Sequence, residues 1–216
     1  TATTMTADAV TFITSALQPA MTSDLAFQDI HTLGLNMAQR LLTTSVLVER
    51  VSDSASQNLG ESLSGIVSAV SLQNKKQRRA AGDPNMNDNV QMLMTMLGRV
   101  RMMGRVPYEA SLTIQTDQLE QIAGRFAAGQ LQETTRLTST KCVAGVCNSV
   151  VLPRDTPQGL GIVDAQLLVW GSDKRTDERE LFVANVTSVQ LLDGATVLNG
   201  TLDRHIQVSI PLKASL

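Results

Sequence analysis

Cys142 and Cys147 are the residues of this 216-residue chain whose type and spacing most directly specify chemistry. They stand in KCVAGVCN with Gly145 between them. Three states are open to them: a disulfide closing a tight hairpin, two free thiols, or half of a metal site. A disulfide needs Cα atoms about 4.4–6.8 Å apart, which a short hairpin with glycine at its bend allows. A metal site needs two further ligands, and the two histidines, His31 and His205, are remote in sequence. The disulfide is the expected state, and it implies an oxidising compartment. Two triplets, Asn185-Val186-Thr187 and Asn199-Gly200-Thr201, are glycosylation acceptors in such a compartment, although triplets of this kind also arise by chance.

Other chemistry finds little support. Nucleophilic catalysis needs a base placed beside a serine or cysteine, and neither histidine stands in a recognisable motif. There is no nucleophile elbow, no HExxH and no phosphate-cradling glycine loop. Asp83, Asn85, Asn87, Asp88 and Asn89 could suggest calcium, but the spacing lacks the glycine and terminal glutamate of an EF-hand loop. The remaining carboxylates are scattered. No catalytic residue, metal or cofactor is expected, and the chain does not read as an enzyme.

Composition narrows the partners. Hydrophobic residues make up 43% and charged residues 18%, enough for a sizeable core. Aromatics are only 3%, so that core must be built from Leu, Val, Ile, Met and Ala. A net charge of −2 argues against nucleic acid, which normally needs a basic face. No apolar run approaches the roughly 20 residues that span a bilayer, so direct membrane insertion is not expected. The chain starts at Thr1 without a methionine or signal peptide and reads as an excised piece of a longer protein.

The elements that must position the cysteines fall into two halves, 1–130 helical and 131–216 of strands: an α+β chain whose helical subdomain precedes an antiparallel, sandwich-like one. Val10, Ile13 and Leu17 give a first helix that Pro19 should end. Ser23 is a plausible N-cap for a longer helix, in which Ala26, Ile30, Leu33, Met37, Leu41, Thr44, Val48 and Val51 form an apolar face. Past a serine-rich break at 52–56, Leu59, Leu63, Ile66 and Val70 mark a third helix. Residues 73–89 read as an exposed loop. Its basic run, Lys75 to Arg79, is either a protease or anionic-partner site or a cationic helix end, the simpler reading. Val90, Leu93, Leu97, Val100 and Met103 give a fourth helix, stopped by Gly104 and Pro107. Its extra methionines are read as core filling rather than a pliable partner surface. Residues 109–116 look extended. Asp117 to Glu120 resembles a capping box, with Leu119, Ile122 and Phe126 as the face of a fifth helix and Gly129 as its stop.

From about residue 131 the period becomes two. Val163, Ala165, Leu167 and Val169 alternate with Asp164, Gln166, Leu168 and Trp170. Residues 182–191 alternate similarly, and Asp193-Gly194 and Asn199-Gly200 are turn signals. Ile206, Val208, Ile210 and Leu212 put four apolar residues on one face of a last strand.

Three stretches of the β half resemble the GAIN domain, the juxtamembrane ectodomain module of adhesion G-protein-coupled receptors and polycystin-like receptors. Asn148 to Arg154 (NSVVLPR) is similar to the family's opening strand. Leu181 to Leu191 (LFVANVTSVQL) resembles its ASxVVSxSL strand, and Leu202 to Leu212 (LDRHIQVSIPL) its L-x-x-PV-x-I-x-LP strand. The order and spacing fit over about 131–216, while the helical half fits by architecture. The resemblance implies a non-enzymatic extracellular module linking a receptor's ectodomain to its membrane part. Its partners would be the downstream part of its own parent chain or neighbouring ectodomain modules. The family's His-Leu-Thr/Ser self-cleavage tripeptide should lie beyond Leu216, so no residue here takes a catalytic role. On this reading the β half is incomplete, and a continuation would pair beside Ile206–Leu212. The rival class is a subunit of an extracellular filament or ciliary surface assembly, which membrane spans downstream in the parent would exclude; a secreted enzyme is more remote.

Overall fold

The computed structural model describes residues 7–22, 28–45, 51–76, 86–132, 135–143, 145–152, 161–170, 187–193, 196–197 and 206–210. The order of elements is α+β, helices first and strands after. The chain divides into two units, Thr1–Met103 with Ile114–Leu119, and Gly104–Thr113 with Glu120–Leu216.

The helical unit holds α1 (Ala7–Thr22), α2 (Gln28–Ser45), α3 (Asp53–Lys76) and α4 (Met86–Met102). The serine-rich break is the start of α3. Ser52 caps it, its Oγ accepting from the Ala55 amide at 3.1 Å, as a helix N-terminus with unsatisfied amides requires. The same hydroxyl lies 2.9 Å from Thr11 Oγ1, and Asn58 Nδ2 donates to Ser15 Oγ at 3.0 Å, so polar pairs tie α1 to α3 at their rim. Beneath them Ala55, Leu59, Leu63, Ile66 and Val67 of α3 are buried. In α4, Val90, Leu93, Leu97 and Val100 are buried as their spacing predicts. Met94 and Met102 fill core, but Met92 is exposed.

Two helical expectations are corrected. Pro19 lies inside α1, which continues to Thr22. Only Ala20 to Thr22 follow it, so the hydrogen bond that proline removes, to the carbonyl four residues back, is lost close to the helix end. The apolar face of α2 is only in part the one expected: Leu41 is buried as read, but Leu33 is 61% and Met37 39% exposed, while Leu35, Ala38 and Leu42 are buried in their place. A step of three or four fits either of two adjacent stripes on this helix, and packing chose the one carrying Gly34 and Ala38. Ala26, Val48 and the N-cap Ser23 lie outside the described residues. So do Gln77, Arg78 and Arg79 of the basic run; α3 itself ends at Lys76.

The strands are β1 (Leu112–Gln115), β2 (Leu119–Ala127), β3 (Arg136–Val143), β4 (Val146–Val151), β5 (Ile162–Trp170), β6 (Thr187–Asp193), β7 (Thr196–Val197) and β8 (Gln207–Ser209). They form a five-stranded sheet in the order β1-β2-β5-β6-β7 and a three-stranded sheet in the order β3-β4-β8. One aliphatic core joins both sheets. It takes Ile122, Phe126, Val163, Ala165, Leu167, Val169 and Leu191 from the larger, and Leu137 and Val150 from the smaller. The odd-numbered residues of β5 thus face this core, as the alternation predicts.

The fifth helix expected over 119–126 is a strand. Ile122 and Phe126 are four apart, which shares a face in a helix and in a strand alike. Leu119 and Ile122 are three apart, which shares a face only in a helix. Both faces of β2 are buried from Leu119 to Gly124, so no strand-like alternation of polar residues was there to be read. The proposed capping box is a hairpin turn instead. Thr116 closes it: its Oγ1 accepts from the Leu119 amide at 3.0 Å, and its amide donates to the Leu119 carbonyl at 2.8 Å.

The last strand is also shorter and differently placed than expected. β8 spans three residues at the end of the smaller sheet, paired with β4 through Ser149↔Ser209, Val150↔Val208 and Val151↔Gln207. Ile206 packs on the core, but Val208 and Ile210 are each 42% exposed. Ile206, Val208 and Ile210 therefore do not make one buried face, because an edge strand at the end of a small sheet offers its outer residues little to pack on; Leu212 lies outside the described residues.

Candidate functional site

Cys142 and Cys147 are joined as a disulfide, with Cα atoms 4.0 Å apart, slightly closer than the usual span of about 4.4–6.8 Å. They face one another across the β3–β4 hairpin, and Gly145 takes the bend with φ of 79°. That left-handed conformation is the one glycine accepts without a Cβ clash. Cys142 is exposed and Cys147 half-buried.

Below the disulfide the hairpin ladder is irregular. Thr138 pairs with Ser149 and Cys142 with Cys147, so three residues of β3 oppose Asn148 alone. This bulge turns Ser139 and Thr140 toward the other sheet. Glu120 of β2 waits there, fully buried. Its carboxylate accepts from the Ser139 hydroxyl, from the Thr140 amide at 2.8 Å and from the Thr140 hydroxyl at 2.6 Å. Losing these bonds would leave a buried acid without partners, at the desolvation cost of the group. Glu120 therefore clasps the two sheets at the bulge. The Cys142 sulfur lies 3.5 Å from the Thr140 carbonyl oxygen, so disulfide and clasp share one piece of backbone.

The opposite face of β2 and β5 carries a second polar group. Arg125 forks onto Asp164, Nε to Oδ1 at 2.7 Å and Nη2 to Oδ2 at 2.8 Å. Its Nη1 donates to the Arg105 carbonyl at 3.1 Å. The hydrogen bond from Arg125 to Asp164 raises the Arg125 pKa above its ordinary value against the opposing effect of burial. Beside this pair Gln121 Nε2 donates to Gln166 Oε1 at 3.1 Å. The guanidinium also ties down the segment between α4 and β1. There Tyr108 has φ of 65°, a strained value for a side chain of this size. Its amide donates to the Arg125 carbonyl at 2.9 Å, and its ring meets Phe126 edge-on at 5.8 Å. Burial raises its phenol pKa.

These groups crosslink and rigidify. The sequence reading found the cysteines and missed the clasp. Glu120 reads locally as part of a capping box, and Asp164 and Gln166 as residues that merely alternate with the apolar face of a strand. Their one detectable signal is that β5 is otherwise almost wholly apolar, so polar residues within it need partners. Asn185, Asn199 and His205 lie outside the described residues, as do Asp83 and Asn85; Asp88 and Asn89 stand in the first turn of α4. Among the described residues no cluster of three or more His, Cys, Asp or Glu side chains could hold a metal, and no helix is long and apolar enough to cross a membrane.

No protein-family model matches the sequence, and no curated protein matches it. A solved structure does match: the full extracellular region of zebrafish Gpr126/Adgrg6, with a TM-score of 0.57 and 12% sequence identity. The match covers 91% of this chain and 26% of that one, so the chain spans about a quarter of that structure's length. What the two share is the fold, a helical part followed by antiparallel sheets.

Proposed function

We propose that this chain is a GAIN-like extracellular module of an adhesion-type or polycystin-like cell-surface receptor, with a structural rather than a catalytic role. The observation that carries the reading is the likeness of fold over 91% of the chain to part of a receptor's extracellular region. The three strand motifs and the disulfide point the same way. In this role the module joins the outer ectodomain to the membrane part and transmits force between them. The clasp of Glu120 on Ser139 and Thr140 and the buried Arg125–Asp164 pair suit that task, because both resist sliding of one strand past another. Its partners are the downstream part of its own parent chain or neighbouring ectodomain modules, and at least one of Asn185 and Asn199 carries a glycan, Asn199 beside Gly200 being the stronger candidate.

The test uses the parent protein in eukaryotic cells. An antibody to this segment should label intact cells, and N-glycosidase should lower the segment's mass. Labelling only after permeabilisation, with no mass change, overturns the reading.

A further inference from the structure

We propose that the Cys142–Cys147 disulfide is a thiol–disulfide exchange site that a dithiol oxidoreductase opens while the domain stays folded, slackening the bulge that holds Glu120. The inference stands on the hairpin geometry and does not depend on the receptor reading.

Three observations carry it. The disulfide is accessible, since Cys142 and the neighbouring residues 145 and 146 are all exposed. It closes a ring of only six residues, the span in which a crosslink constrains the unfolded chain least. The aliphatic core of the β unit does not use it: Ile122, Leu137, Val150, Val163 and Leu167 are buried without either cysteine among them. Opening the bond is therefore a local event. Its effect is also specific. The three-against-one bulge is pinned by the Thr138↔Ser149 pair at one end and the disulfide pair at the other. Freed at the disulfide end, residues 139–141 gain the slack to leave the Glu120 carboxylate.

The step balances. A thiolate of the dithiol attacks the Sγ of Cys142, the more exposed residue of the pair, forming a mixed disulfide as the Cys142–Cys147 bond breaks. The electron pair leaves on Cys147 Sγ, which takes a proton. The reductant's second thiolate then attacks its own sulfur in the mixed disulfide and expels Cys142 as a thiolate, which is protonated in turn. The dithiol is oxidised by two electrons to its disulfide, and its two protons end on the cysteines.

The experiment treats the parent protein, folded and oxidised, with thioredoxin as the probe dithiol, and follows thiol labelling and amide exchange in this segment by mass. The expected result is labelling of both cysteines in native buffer with the far-ultraviolet spectrum retained. Exchange of the Thr140 amide should rise at least tenfold, while the Leu167 amide in the core strand does not change. Glu120→Gln in the oxidised protein should raise Thr140 exchange without reduction. Three results overturn the proposal: labelling only in denaturant, loss of the whole fold on reduction, or reduction that leaves Thr140 exchange unchanged.

Discussion

Replacing Asp164 by asparagine tests the buried pair on which the larger sheet's second face depends. The Asp164 side chain is 1% exposed and that of Arg125 15%. The amide keeps the shape and one acceptor, but the guanidinium loses its countercharge. Removing one member of a buried ion pair costs about 3–5 kcal/mol. Here Arg125 keeps its 3.1 Å bond to the Arg105 carbonyl and some contact with solvent. The expected loss is accordingly at the low end, about 3 kcal/mol, or about 6–12 °C in Tm for a chain of this length. Trp170 is the single tryptophan, is 1% exposed and belongs to β5, so its fluorescence in a urea titration reports on the right unit. Arg125→Met with Asp164→Leu should recover most of the loss, because the desolvation cost of both charges disappears together. A loss below about 1 kcal/mol for Asp164→Asn, or a double variant no more stable than the single, would refute the reasoning.

Gly60→Ala should destabilise by about 1–3 kcal/mol, because a Cβ there would stand 2.5 Å from Ile114 Cγ2; a thermal melt followed by circular dichroism checks it. Serine at both Cys142 and Cys147 should cost about 2 kcal/mol by the chain-entropy relation for a six-residue ring, read from the same melt. Tyr108 is the single tyrosine, and its phenolate absorbance should titrate with a midpoint above 10.0 in the folded protein and fall back in denaturant. Because the folded value is raised, the stability this group contributes is complete below the unfolded pKa and is lost as pH rises through the folded one; Tyr108 is 44% exposed, so the shift is expected to be small, and an unshifted midpoint would refute the partial desolvation of its phenol.

The sequence by itself determined the class of the chain, most of its elements and its crosslink. Leu59, Leu63 and Ile66, and Val90, Leu93 and Leu97, repeat at a helical period long enough to exclude a strand, and they are buried as that period requires. Cys142 and Cys147 flank a glycine at a distance that a hairpin closes, so local geometry alone brings their sulfurs together. Tertiary structure decided the rest. The segment 119–127 became a strand because β1 and β5 lie on either side of it, a fact absent from its own periodicity. The inward stripe of α2 was chosen by its neighbours. The clasp and the ion pair join Glu120 to Ser139 and Thr140, and Arg125 to Asp164, across 19, 20 and 39 residues. No local pattern encodes such pairs, because which side chains meet depends on strand order and on one bulge, and both are settled only when the two sheets close over their common core.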